Sequence, residues 1–95
     1  MNIFTVNGGD TMRVMAKDAT HLDSGPITSN LTAFLTIVDI VTQEIVTGPV
    51  PVTQHNGDDW WVDVLTPQED GQYRVDFDMT YAGAHRVLQA KLIVI

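Results

Sequence analysis

The sequence predicts an all-β fold, an antiparallel sandwich of about seven short strands forming one domain over residues 1–95. Three observations predict it. First, Tyr73, Val75, Phe77, Met79 and Tyr81 alternate with Arg74, Asp76, Asp78 and Thr80, the period-two pattern of a strand with one buried face. Second, turn signals recur every 8 to 15 residues. Third, no segment holds a 3.6-residue apolar period, and no internal repeat is present. A small closed barrel is the structural competitor.

Each element has its own warrant. Ile3 to Val6 is a short apolar run closed by Asn7-Gly8-Gly9-Asp10, and the next strand, Thr11 to Ala16, sets Met12, Val14 and Ala16 against Arg13 and Met15. Residues 17–30 lapse into Asp, Ser, Thr, Gly and Pro and read as the longest irregular segment, the kind of loop that often carries binding. Leu31 to Ile40 is rich in Thr, Ile, Val and Phe, with Ala33, Leu35 and Ile37 on one face and Thr32, Phe34, Thr36 and Val38 on the other. The stretch from Glu44 to Gln54 is interrupted by Gly48, Pro49 and Pro51, which predicts an edge strand, because proline cannot donate to a ladder. Asn56-Gly57 predicts a tight hairpin turn into Trp60 to Leu65. Ala82-Gly83 predicts another, between the alternating strand and a last strand over Arg86 to Ile95.

The totals narrow the function classes. A chain of 95 residues with 44% hydrophobic content can bury roughly 60 to 65% of its unfolded surface and fold without staples. The net charge of -7 repels phosphate backbones and anionic membrane surfaces, so neither nucleic acid nor a membrane is an expected partner. With no cysteine, neither a disulfide framework nor a thiolate metal site can form. The first residues lack a basic stretch followed by an apolar core, and no apolar run approaches membrane-spanning length. The expectation is a product made in a cytoplasm and used there, or carried out within a larger particle.

The corner Asp70-Gly71-Gln72-Tyr73 resembles the D-x-G-x-Y pattern that opens the sixth strand of immunoglobulin-like domains, contracted here to D-G-x-Y. The resemblance implies an immunoglobulin-like antiparallel β-sandwich, with Gly71 and Tyr73 forming a structural corner and the tyrosine hydroxyl bonding back to the chain. Two departures, the absent cysteine pair and tryptophans that precede the corner, point away from antibody and receptor domains and leave the cysteine-free immunoglobulin-like and fibronectin-like modules. Modules of this kind that lack an export signal look like the small accessory proteins of tailed bacteriophage virions. That resemblance implies a non-enzymatic virion structural protein, assembled in a host cytoplasm, that decorates a capsid or completes a neck, tail or baseplate and binds other virion subunits in multiple copies.

Single residues sharpen this expectation. Trp60 and Trp61 are neighbours on a strand and must face opposite sides. Trp60 shares parity with Val62 and Val64 and is the core candidate. Trp61 shares parity with Asp63 and is the outward one, a residue type that anchors interfaces. With Asp59, Asp63 and His55 it makes the candidate binding surface. The same ring could stack on a sugar, with Asn56, Asp58 or Asp59 for the hydroxyls, so a carbohydrate- or host-surface-binding module is one alternative and a small barrel of a head-tail connector is another. Other small-molecule ligands are not expected. Asp58, Asp59 and Asp63, joined by Asp18 and Asp23, could hold calcium, but their spacing fits no loop motif, and a solvated acidic rim with no metal or cofactor is the expectation. His21, His55 and His85 fall in predicted loops or turns without metal or relay spacing, Asp76 and Asp78 are expected to be ionised and solvated on a polar strand face, and no active site is expected. Asn30-Leu31-Thr32 matches a glycosylation sequon by coincidence.

Overall fold

The computed structural model describes residues 2–95. Ten strands follow in chain order: β1 (Asn2–Val6), β2 (Thr11–Ala16), β3 (Thr20–His21), β4 (Gly25–Pro26), β5 (Thr32–Asp39), β6 (Ile45–Pro51), β7 (Gln54–Asn56), β8 (Asp59–Leu65), β9 (Gly71–Tyr81) and β10 (Ala84–Val94). They form a five-stranded sheet in the order β1-β10-β9-β5-β6, a three-stranded sheet β2-β8-β7, and a two-residue ladder β3-β4 inside the 17–30 excursion. The strands make separate sheets with free edges, not one closed ring.

The count exceeds the expected seven because the excursion and the segment after β6 each gain short ladders that carry no apolar alternation. The expectation of a wholly antiparallel fold is also corrected, since β1 pairs with β10 in parallel, with Phe4 opposite Leu92. β9 and β10, of 11 residues each, run the length of a molecule measuring 41 × 23 × 20 Å, as a rise of about 3.3 Å per residue requires.

One core lies between the two larger sheets. From the first come Leu35 and Ile37, both 0% exposed, with Tyr73, Val75, Phe77, Leu92 and Val94; from the second come Ala16, Trp60, Val62 and Val64. These are the inward parities of β5, β8 and β9 expected from alternation. Ala33 of β5, with Ile27 and Val52 from connecting segments, completes the cluster.

β6 takes the sheet edge that its prolines predict. Its ladder with β5 shifts register between Leu35 and Val38, and Gly48 sits at that irregularity with φ +90°. A side chain there would collide with the Leu35 carbonyl, so β6 can approach β5 this closely at the register shift only with glycine.

The two tight hairpins differ. Ala82 and Gly83 take φ of 48° and 81° between the paired Tyr81 and Ala84, so the turn expected there is of type I′. At the other, Asn56 pairs with Asp59, so the loop residues are Gly57 and Asp58, one position beyond the expected Asn56-Gly57.

Candidate interaction surface

Cross-strand register builds the surface on the outer face of the three-stranded sheet. Asp59, Trp61 and Asp63 occupy alternate positions of β8 and share this face. Opposite them on β2, Arg13 pairs with Asp63 and Met15 with Trp61, while on β7 Gln54 pairs with Trp61. Trp61 is half-buried, and the Arg13 guanidinium lies over its ring, 3.7 Å from the centroid. Arg13 is held there by Asp63: Nε donates to Oδ1 at 2.8 Å and Nη2 to Oδ2 at 3.1 Å. The forked geometry fixes the guanidinium plane, and the cation favours the electron-rich ring face. Hydrogen bonding from Arg13 holds the Asp63 carboxyl below its usual range, and the same bond raises Arg13. Met15 and Leu65, 43% and 61% exposed, flank the stack.

Trp60 fills the core from the other face of β8, 4% exposed. Its indole N–H donates to the Ile27 carbonyl at 2.8 Å, and the Ala19 N–H donates to the Asp58 carbonyl at 2.9 Å. These bonds tie the 17–30 excursion to β8, which is why a segment with little alternation still packs.

The four predicted surface residues therefore separate. Trp61 and Asp63 meet through Arg13. Asp59 lies at the start of β8, where Oδ1 accepts the Asp18 N–H at 2.9 Å and its carboxylate comes within 4.8 Å of those of Asp18 and Asp58. His55 belongs to the opposite face: its ring stacks on Trp60, centroids 4.1 Å apart and 15° from parallel, and Nδ1 lies 2.9 Å from the Gly57 carbonyl oxygen. No family model, curated protein or solved structure matches this chain.

Of the five acids that could supply calcium ligands by residue type, Asp63 is engaged by Arg13, and Asp23 stays outside the group of Asp18, Asp58 and Asp59. The histidine placements are corrected as well. His21 lies in β3, His55 in β7 and His85 in β10, because backbone pairing extends past the apolar runs that mark strands in sequence. His85 Nε2 lies 2.7 Å from Asp78 Oδ1. Asp76 is not freely solvated: its carboxylate, 18% exposed, takes three hydrogen bonds from Arg74, and this pairing raises the Arg74 guanidinium.

At the corner, the Tyr73 hydroxyl donates to the Glu69 carbonyl at 2.8 Å, and Gly71 is the first residue of β9 with φ +154°. Burial raises the phenol, and the charges of Asp39, Glu69 and Asp70 add to this. Thr66, a polar residue that no alternation pattern singles out, is 2% exposed. Its hydroxyl donates to the Asn7 carbonyl and its N–H to the Asp10 carbonyl, each at 2.7 Å, which locks the β8–β9 connection to the β1–β2 loop. Arg13 was equally unannounced, since its role depends on a β2–β8 pairing that local sequence does not specify.

Proposed function

We propose that this protein is a non-enzymatic assembly module with immunoglobulin-like wiring, a virion structural protein that binds other virion subunits through the outer face of β2, β8 and β7. The observation that carries the binding role is the Trp61–Arg13–Asp63 stack. Tryptophan and arginine dominate interface energetics where they are held rigid beside apolar neighbours, and here the ion pair fixes both before a partner arrives, which lowers the ordering cost of docking. Met15 and Leu65 widen the apolar contact.

The immunoglobulin-like reading is supported by the strand order, a β10-β9-β5 group extended at both edges and facing β2-β8-β7, and by a tyrosine corner at the start of β9. The virion role rests on the resemblance in kind to small phage accessory modules. A sugar-stacking role for Trp61 is less well supported, because Arg13 already covers the ring that a pyranose would need.

Density-gradient separation of material from the native source tests the role: the chain should migrate with intact particles in fixed stoichiometry. Trp61→Ala should reduce incorporation by about tenfold or more while the variant keeps a cooperative melt. Recovery only as free monomer, or full incorporation of Trp61→Ala, would overturn the proposal.

A further inference from the structure

A second site lies away from the Trp61 surface. Where the 17–30 excursion meets the β9–β10 hairpin, it borders a cleft of about 690 Å³, within the range of small-ligand sites. Leu31, Met79 and Leu88, all packed against the core, give it an aliphatic floor. The rings of His21 and Tyr81 line it with centroids 5.2 Å apart and a 46° tilt. The Asp23 N–H donates to His21 Nδ1 at 3.3 Å.

Charge indicates the ligand class. The chain has 5 lysines and arginines against 12 acids, and Arg13 and Arg74 are each bound to an aspartate. Lys17 and Arg86 are in no ion pair among the described residues, and both line this cleft. Asp18 and Asp23 also line the cleft, Asp18 beside the carboxylates of Asp58 and Asp59, and His85 Nε2 lies against Asp78, so an anion here must be held by direct contact with Lys17 and Arg86 rather than by the net field. Two uncommitted cations beside an aliphatic floor match an anion that carries its own apolar group.

We propose that this cleft binds a carboxylate borne on an apolar body, the body resting on Leu31, Met79 and Leu88 and the carboxylate met by Lys17 and Arg86. A peptide ending in an apolar residue and a fatty acid share this chemistry. The site is independent of the assembly role proposed for the Trp61 face.

Titration of the ¹⁵N-labelled chain with N-acetyl-leucine, its uncharged amide and octanoate tests the inference by NMR. Saturable shifts should cluster at Thr20, His21, Tyr81 and Arg86, with the amide bound at least about fivefold more weakly than the acid. Tighter N-acetyl-leucine would identify the peptide source and tighter octanoate the fatty acid, and either supports the shared chemistry. Lys17→Gln and Arg86→Gln alter exposed side chains, so each should leave the melt unchanged and weaken the acid about threefold or more. Trp61→Ala should leave the titration unaltered, which separates this site's failure from that of the assembly role. Absence of saturation by about 10 mM, equal binding of acid and amide, or shifts centred on Trp61 would overturn it.

Discussion

Tyr73 shows how much one side chain can fix. Its ring is buried against the core while its hydroxyl reaches the Glu69 carbonyl, so the chain between them is closed into a corner by a single bond. Tyr73→Phe keeps the ring and removes that bond, leaving a carbonyl to find water, and should cost about 1 kcal/mol at neutral pH. The raised phenol adds a pH dependence. The folded state holds the proton above the unfolded value of about 10, so the contribution is fully present below that pH and is lost as pH climbs through the folded value. Urea midpoints at neutral and strongly alkaline pH should show wild type losing more stability than Tyr73→Phe; parallel losses would contradict the assignment. This corner was legible in sequence because its determinants lie within four residues of one another. The Arg13–Asp63 pair was not, because its partners are 50 positions apart and meet only through strand register.

At the scale of elements, alternation located β2, β5, β8 and β9 well, since each buries one face and a slip of one residue would expose it. It could not foresee β3, β4 and β7, which are held by backbone pairing and the bonds that tie the excursion to β8 rather than by apolar stripes. Prolines marked β6 as an edge, but the register shift in its ladder with β5 depends on Gly48, whose significance is visible only beside the Leu35 carbonyl. Gly48→Ala would combine a positive φ of 90° with a collision against that carbonyl and a 2.9 Å approach to the Val50 nitrogen. We expect a loss of about 2 kcal/mol or more in chemical denaturation. Gly83→Ala is the control. Its φ is +81° but open space surrounds its Cβ position, so it should cost only about 1 kcal/mol. Equal losses would show that backbone conformation, not the close approach of β6 to the Leu35 carbonyl, sets the requirement at Gly48.

Over the whole molecule, the net charge of -7 acts as an unfavourable field that folding concentrates. Arg13 and Arg74 each neutralise one aspartate, leaving most acids without a cationic partner among the described residues. At one end, Asp18, Asp58 and Asp59 crowd within 4.8 Å. Salt should therefore stabilise this protein. The Debye length shortens from about 30 Å at 0.01 M to about 8 Å at 0.15 M, so longer-range repulsion is screened first, while the bidentate Arg13–Asp63 pair, in contact at 2.8 and 3.1 Å, lies far inside either length and loses little. Raising NaCl over that range should lift the melting temperature by about 2 to 4 °C, a gain near 0.5 kcal/mol for a domain of this size. Asp58→Asn should raise the low-salt melting temperature and reduce the salt increment, because it removes one member of the crowded group while the Asp58 backbone carbonyl remains free to accept from Ala19. A melting temperature that falls with salt would mean that attractive pairs outweigh the net field. The same field bears on assembly: a partner with a basic surface should associate faster at low salt, and the screening that stabilises the free fold should slow its docking.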